Sequence, residues 1–151
     1  MTTTPPESPL ATGERKKVTT LTFRRKKLRR ERRRVLEAGI TLRSLPGEEI
    51  GPDLWRTIFA FSERTFLLHG NGHYLNAGFF ADVSRRLPGA VVVKLAERAG
   101  MPLAASIFMQ GGGTLYGRYW GAAGHEDCLH FEACYYQGIE HCIEHGLELF
   151  D

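Results

Sequence analysis

Three β-rich runs joined by very short turns constrain the fold of this chain most strongly. They are AVVVKLAER at residues 90–98, LAASIFMQ at 103–110 and TLYGRYWGA at 114–122. The turns between them, AGMP and GGG, are short and rich in glycine. Connections of this length join antiparallel neighbours, because a parallel crossover needs about a dozen residues or more. The sequence therefore predicts an antiparallel meander.

Helical patterns surround this meander. Helices are predicted at residues 22–38, 52–68, 75–87 and 129–145, and further short strands at 40–45 and 147–150. The third helix places apolar residues at steps of four, namely Leu75, Phe79, Val83 and Leu87. Residues 1–20 are polar and carry prolines, so a disordered tail is expected there. With 151 residues and 42% apolar content, the chain fits one domain of the α/β (α+β) class, with a mixed, mainly antiparallel sheet flanked by helices.

Charge is distributed unevenly along the chain. Residues 1–34 carry twelve Lys or Arg against three Glu, whereas the remainder carries eight basic and fourteen acidic residues. Residues 1–34, here called the basic arm, therefore bear a net charge of +9, and residues 35–151, the body, bear −6. Such an arm is expected to meet an anionic partner, which could be nucleic acid, anionic lipid or the acidic body itself.

Cysteine spacing and hydropathy exclude several classes of protein. Cys128, Cys134 and Cys142 match neither a zinc ribbon nor a redox CxxC motif, so reduced thiols and no metal site are predicted. The chain lacks an apolar run of about eighteen residues, and its N-terminus is polar where a signal peptide would be apolar. The sequence therefore predicts a cytoplasmic protein without a membrane span.

The densest chemistry lies at residues 114–146, where the last meander strand leads through a glycine-rich turn into the final helix. Ligands of α/β proteins commonly bind at such junctions. The ionisable and hydrogen-bonding residues there include Arg118, His130, Glu132, Tyr135, Tyr136 and Gln137. Helical periodicity predicts a buried stripe of Phe131, Tyr135, Ile139, Cys142, Ile143 and Gly146. The neighbouring, partly exposed polar face would carry His130, Cys134, Gln137, His141 and His145.

Three segments of the chain resemble one known family. They are RRERR at residues 29–33, YGRYWG at 116–121 and LHFEACYYQGIEHCIEHG at 129–146. Together with the order of elements over residues 22–151, these segments are similar to FemAB-like proteins, which are related to peptidoglycan biosynthesis. Members of this family are predicted N-acyltransferases, and their fold resembles that of GNAT-type acyltransferases. The resemblance implies a partial GNAT-like domain at residues 21–151 and a transferase activity. Because family members continue past the closing strand, the chain is expected to be incomplete at its C-terminus. Whether it is active without the missing segment is left open.

The implied reaction is transfer of an acyl or aminoacyl group to an amine, with a cell-wall precursor as a candidate acceptor. Such a transfer needs a base for the ammonium proton and a donor to the developing oxyanion. His130 and Glu132 are the predicted catalytic bases, because both lie in the first turn of the final helix. Arg118 and Tyr116 are predicted to orient the acyl donor. Further predicted substrate contacts are Tyr119, Trp120, Tyr136 and Gln137.

Structural roles remain open for the same residues. Asp127 could cap the final helix and Glu132 could interact favourably with its dipole, while Tyr116, Tyr119 and Trp120 could simply pack on the strand. The segment RYWGAA at residues 118–123 formally matches the coenzyme A phosphate loop of GNAT enzymes. In that loop the helix begins at once, whereas here GHEDC intervenes, and its two acidic residues would repel a pyrophosphate.

The arginine-rich helix is the second functional candidate. Its predicted phosphate or nucleic-acid contacts are Arg29, Arg30, Arg32, Arg33 and Arg34. Fem-type ligases take aminoacyl groups from transfer RNA, so the resemblance implies acyl-CoA or aminoacyl-tRNA as donor substrate, tRNA as a candidate partner and a small-molecule or peptide amine as acceptor. A permanently bound cofactor is not expected. The alternative to an enzyme is a non-enzymatic nucleic-acid-binding module that uses the basic helix at residues 24–34.

Overall fold

The computed structural model describes residues 10–151, with side chains described from Arg24 onward. Within this range, one sheet of five strands lies between two layers of helices. The strands are β1 (Ile40–Pro46), β2 (Val91–Arg98), β3 (Met101–Gly111), β4 (Thr114–Ala122) and β5 (Leu149–Phe150). The helices are α1 (Leu10–Glu37), α2 (Pro52–Leu68), α3 (Ala77–Arg86) and α4 (residues 129–145), with a short 3-10 turn at Gly47–Glu49.

The sheet confirms the predicted meander and the mixed α/β fold class. The strand order is β1-β2-β3-β4-β5, so each strand pairs with its neighbour in sequence. The first four strands are antiparallel, and β5 returns parallel to β4 after the α4 crossover. The register between β3 and β4 shifts at Ile107 and Phe108, which pair with Tyr119 and Gly117. Arg118 therefore occupies a β-bulge, a feature that commonly redirects a side chain.

Helices α2 and α3 cover one side of the sheet, here called the α2/α3 face. Its core consists almost wholly of apolar residues, including Trp55, Ile58, Phe80, Val93 and Ile107. The α2 backbone lies directly against Gly121 of β4, since a Cβ there would stand 2.0 Å from the carbonyl carbon of Phe61. Glycine is therefore required at this contact, because a side chain would push the helix off the sheet.

Helices α1 and α4 cover the opposite side, the α1/α4 face. Two smaller apolar clusters hold it, one around Val35 and Ile40 and the other around Phe108 and Leu115. Between them lie four buried polar side chains, which belong to Lys94, Ser106, Glu132 and His141. Buried polar groups are costly unless they find partners, so this face depends on specific hydrogen bonds as well as on apolar area.

Helix α4 contains a π-turn at Glu132–Tyr136, between an α-helical first turn at Leu129–Phe131 and a regular segment at Gln137–His145. The predicted buried stripe is wrong, because Phe131, Tyr135, Ile139 and Ile143 are exposed. The buried α4 residues are Leu129, Glu132, Ala133, Gly138, His141 and Cys142. The sheet beneath carries polar groups and therefore accepts the polar residues of α4. Gly138 also lets the helix approach closely, since a Cβ there would lie 2.7 Å from the Phe150 ring.

Two further features of the helices are the start of α1 and the burial of α3 residues. Helix α1 begins at Leu10, so residues 10–20 of the predicted tail are helical, while residues 1–9 lie outside the described part of the chain. In α3, Phe80 and Ser84 are buried, whereas Phe79 and Leu87, two of the apolar residues spaced at steps of four, are exposed. The reason is a close contact with Gly47, where a Cβ would lie 2.2 Å from Ser84 Oγ. Across residues 10–151, no helix is long and apolar enough to cross a bilayer.

Candidate functional site

A cavity of about 520 Å³ opens between β4 and α4, beside the short strand β5. Next to the cavity, β5 pairs with β4 at Thr114 and Leu115. Further backbone bonds extend this contact, among them Asp151 N–H to Leu115 O at 2.9 Å and Gly117 N–H to Asp151 O at 2.7 Å. The lining residues are Ser106, Ile107, Phe108, Gly117, Arg118, Tyr119, Trp120, His130, Cys134, Tyr135, Ile139, Phe150 and Asp151. A mainly apolar cavity with a few convergent polar groups is typical of a ligand site.

The β4 wall contributes the cationic group of the cavity. The Arg118 guanidinium projects from the bulge and lies 5.1 Å from the centre of the Tyr116 ring. Its Nη2 is 3.8 Å from Asp151 Oδ2, and the Arg118 side chain remains 48% exposed. A loose ion pair with this exposure leaves most guanidinium donors able to bind a carboxylate or phosphate. Tyr116 supports the arginine but does not line the cavity.

The α4 wall contributes a neutral imidazole. The His130 ring packs edge-on against Trp120, at 5.2 Å between ring centres, and against Tyr135 at 6.0 Å. Burial lowers the pKa of His130 below its usual value, because desolvation disfavours the imidazolium. At neutral pH the ring is therefore uncharged and able to accept a proton. His130 and Arg118 thus face one cavity from opposite walls.

Cys134 lies in the same wall and was not predicted as a site residue. Burial raises the pKa of its thiol to about 12. Because the thiolate is the nucleophilic form, this cysteine is protonated and reacts only slowly near neutral pH. Covalent catalysis through Cys134 is therefore disfavoured.

Tyr119 connects the cavity to the α2/α3 face. Its hydroxyl shares a hydrogen bond of 2.6 Å with that of Tyr74, and its ring stacks on His73 at 5.6 Å. Burial and the bond to Tyr74 raise the pKa of Tyr119 to about 12, so the phenol remains protonated. Sequence reasoning missed Tyr74, since it lies in a loop far from the junction in sequence. It also missed Ser106 and Asp151, which line the cavity.

Three predicted site residues lie outside the cavity, on the side of α4 that faces α1. Glu132 is only 4% exposed and receives two bonds from Arg32, from Nη2 at 2.9 Å and from Nε at 3.0 Å. Gln137 Nε2 donates to the same carboxylate at 2.9 Å. Tyr136 donates its hydroxyl to Glu31 Oε2. These bonds favour a structural role for Glu132, Tyr136 and Gln137 over contact with a substrate.

The capping alternative does not describe the start of α4 either. Cys128, with φ of 64°, precedes the helix, and its side chain makes no cap bond. Glu126 instead forms a two-bond ion pair with Arg98, at 2.9 Å for each bond. This loop thus carries acidic groups where a phosphate loop would need free amides, which disfavours the formal match at residues 118–123.

The arginines of α1 divide into two groups. Arg29, Arg30, Arg33 and Arg34 are exposed, whereas Arg32 turns toward the body and binds Glu132 and Glu140. Hydrogen bonding to Glu140, opposed by some desolvation, raises the pKa of Arg32 above its ordinary value. The predicted basic surface is therefore formed by the exposed arginines, and Arg32 is not part of it.

The sequence model of a family described as peptidoglycan biosynthesis/recognition matches residues 19–151. Curated protein sequences provide no significant match. Among solved structures, the chain is similar to the C-terminal domain of a putative lysylphosphatidylglycerol synthetase from Agrobacterium fabrum, with 16% identity and a TM-score of 0.59. That match covers 82% of this chain but only 39% of the synthetase domain.

A second similar structure is an aminoglycoside acetyltransferase from an uncultured soil metagenomic sample, solved with trehalose. It has 8% identity and a TM-score of 0.53, over 77% of this chain and 78% of the acetyltransferase. The same enzyme with sisomicin gives a TM-score of 0.52. At such identities these likenesses establish the fold, and they confirm the acyltransferase-like architecture predicted from the sequence.

Proposed function

Since the chain belongs to the FemAB-like family of peptidoglycan biosynthesis and recognition proteins, we propose that it transfers an acyl or aminoacyl group to an amine. The observation that carries this proposal is the placement of neutral His130 and cationic Arg118 on facing walls of one cavity. The acceptor we propose is a small-molecule or peptide amine of a cell-wall precursor.

The reaction begins with an amine nitrogen attacking the acyl carbon of a thioester or ester donor. His130 accepts the proton that the attacking nitrogen loses, and the carbonyl oxygen becomes an oxyanion. The tetrahedral intermediate then expels the thiolate or alkoxide, which receives the proton from His130. The products are an amide and a neutral thiol or alcohol, so protons and electrons balance.

Arg118 serves as the anion-binding group in this scheme. Its guanidinium can orient a phosphate or carboxylate of the donor, or stabilise the oxyanion, because its pairing with Asp151 is loose. The adjoining β4 residues, from Arg118 to Trp120, line the same cavity. Acyl-CoA and aminoacyl-tRNA are the donors proposed.

Calorimetric titration with each donor tests the proposal. We expect acetyl-CoA or an aminoacyl-tRNA to bind, and Arg118→Ala to weaken binding by roughly tenfold, the usual range for a charge-assisted bond. Arg43→Ala is the matched control, because Arg43 is an exposed strand arginine paired with Glu97, far from the cavity lining. Absence of heat with both donors would contradict the donor assignment.

The base is tested by acyl transfer to a generic primary amine. His130→Gln should lower kcat by about two to four orders of magnitude, the range typical of a lost general base. His125→Gln is the control, since His125 is a fully solvated loop residue outside the cavity lining. Equal activities of the two variants would exclude His130 as the base.

A second candidate function has its own supporting observation. Among the α1 residues whose side chains are described, eight basic ones are exposed, namely Arg24, Arg25, Lys26, Lys27, Arg29, Arg30, Arg33 and Arg34. A surface of this charge suits the phosphate backbone of nucleic acid, and its affinity would fall steeply with salt. Neutralising Arg29, Arg30 and Arg33 together should abolish RNA binding, while neutralising Arg85 and Arg86 of α3 should not. Salt-insensitive binding would argue against this candidate.

A further inference from the structure

Arg32 differs from every other arginine of α1 that has a described side chain, because it binds the body of the protein. It joins α1 to α4 through two carboxylates: Nε and Nη2 bond Glu132, and Nη1 bonds Glu140 Oε1 at 2.5 Å. The adjacent Glu31 accepts the hydroxyl of Tyr136. These contacts form a clamp, comprising Glu31 and Arg32 on α1 with Glu132, Tyr136 and Glu140 on α4.

The clamp contacts the first and the last residue of the π-turn of α4. Glu132 is the first residue of that turn and Tyr136 the last. From the sheet side, Ser106 Oγ donates to the carbonyl of Ala133 at 2.8 Å, which satisfies a backbone acceptor within the turn. Isolated π-turns are less favourable than regular helix and persist where surrounding contacts hold them. The clamp and Ser106 supply such contacts from two sides.

The π-turn determines which α4 residues share the cavity wall. In a regular α-helix successive side chains are rotated by about 100°, so His130 and Ile139 would point about 180° apart. A π-turn accommodates one additional residue, which reduces this separation to about 80°. In the structure both residues line the cavity, together with Cys134 and Tyr135. The shape of this wall is therefore a product of the π-turn.

We infer that Arg32 is a positioning residue for the cavity, because its clamp on Glu132 and Glu140 holds the π-turn that brings His130 and Ile139 to one wall. The inference rests on the proposed function in taking this cavity as the reaction site. The clamp acts through α4 and makes no contact with the cavity itself, since neither Arg32 nor Glu132 belongs to its lining.

The thiol of Cys134 provides a readout that does not depend on catalysis. Its alkylation by iodoacetamide, followed at that residue by mass spectrometry, reports whether the cavity wall keeps its shape. Arg32→Lys retains the charge but loses the bidentate geometry, and we expect Cys134 to react roughly tenfold faster because the wall loosens. Where acyl transfer is measurable, kcat should fall while the donor KM changes little.

Val35→Ala is the matched control for a merely structural role. Val35 is a buried α1 residue three positions away, and it packs in the apolar cluster without touching the clamp carboxylates. It weakens α1 packing generally, so the clamp model expects Cys134 alkylation within about twofold of wild type. An equal acceleration in both variants, or no acceleration in a folded Arg32→Lys protein, would overturn the inference.

A milder variant keeps the test decisive if Arg32→Lys fails to fold. Glu140→Gln removes one carboxylate of the clamp, that of a half-exposed residue, and leaves the Glu132 pair intact. We expect Cys134 alkylation to rise by about threefold, in line with a partial loosening. An unchanged rate would refute the clamp. If wild type shows no acyl transfer at all, the proposed function fails, but the alkylation rates still decide the role of Arg32.

Discussion

The two faces of the sheet are built on opposite principles. The α2/α3 face buries a continuous apolar core, with Trp55, Ile58 and Phe80 at its centre. The α1/α4 face has smaller apolar clusters, and its buried polar side chains each need a partner. The cavity lies on this second face. The difference indicates that the α2/α3 face contributes most of the folding stability. The α1/α4 face contributes less, because it holds polar groups beside the cavity.

The partners on the α1/α4 face are specific. Lys94 Nζ donates to Ser44 Oγ at 2.9 Å, and His141 Nε2 to Gln110 Oε1 at 2.8 Å. Because Nε2 carries the hydrogen, Nδ1 of His141 is a lone-pair acceptor, and it has no partner among the described residues. Lys94 and His141 each depend on one such hydrogen bond, whereas Glu132 accepts bonds from both Arg32 and Gln137.

The largest expected effect is on the apolar face. Phe80→Ala should lower the free energy of unfolding by about 4 kcal/mol, because it removes a fully buried ring and leaves a cavity. Phe79→Ala, one residue away on the same helix but 37% exposed, should cost less than about 1 kcal/mol. Urea denaturation measures both. Similar losses of unfolding free energy in the two variants would show that the buried and exposed positions of α3 do not differ as expected.

The next effect concerns pH and His141. Burial, with the positive charges of Lys94 and His145, lowers the pKa of His141 to about 4, whereas an unfolded histidine titrates near 6.5. Between these values the unfolded chain binds a proton that the folded protein does not. The free energy of unfolding should therefore fall as pH drops from about 6.5 to 4, by up to about 3 kcal/mol from this residue.

His141→Gln should remove that part of the pH dependence and can still donate to Gln110. His125→Gln, at a loop histidine whose side chain is 88% exposed, is the matched control substitution. Urea denaturation at pH 7, 5.5 and 4.5 would reveal the difference. Parallel profiles for wild type and His141→Gln would show that the polar face is not the source of acid sensitivity.

A smaller effect is expected at Ser106. Ser106→Ala leaves the Ala133 carbonyl of the π-turn without its donor, which should cost about 1–2 kcal/mol of unfolding free energy. Ser84 is the matched residue on the apolar face, because it is equally buried but donates to Phe80 within its own helix, at 2.7 Å. Ser84→Ala should cost less than about 1 kcal/mol, since the bond it loses joins residues of the same helix turn. Chemical denaturation of both variants tests this difference.

The smallest effect is expected at Lys94. Burial lowers the pKa of its ammonium despite the nearby carboxylates of Glu144 and Glu140, which indicates that the charge is poorly compensated. Lys94→Met fills the same space without a charge, and its partner Ser44 is exposed to water. We expect stability within about 1 kcal/mol of wild type, shifted toward greater stability. A loss above 3 kcal/mol would show that the ammonium makes an essential interaction.

Local patterns in the sequence predicted the sheet better than the helical layers. The meander followed from alternating strands and glycine-rich turns, which depend on adjacent residues. The neighbourhood of Arg118 and His130 was also predictable, because a strand end and the following helix start lie close together. Glu132 was misleading for a physical reason: its partner is Arg32, 100 residues earlier. No local pattern reveals such a pair.

The orientation of α4 was unpredictable for a related reason. A periodicity analysis assumes regular helix, and the π-turn at Glu132–Tyr136 changes the phase midway. The error is not confined to one side of the turn, since Phe131 before it and Ile139 and Ile143 after it are all exposed, while the polar sheet surface accepts the polar residues of α4. In α3 the error was one residue, since the close contact at Gly47 selects Ser84 and Phe80 for the interior. Tertiary contacts overrode the local pattern in both helices.

The separation of 100 residues between Arg32 and Glu132 also bears on the order of folding. Each meander strand pairs with its sequence neighbour, so the sheet can assemble through short loop closures. Docking of α1 onto α4 closes a loop of 100 residues, so we expect it to follow sheet assembly. Interactions formed after the rate-limiting step influence mainly the unfolding rate. The Arg32 clamp should therefore prolong the lifetime of the native state while leaving the speed of folding almost unchanged.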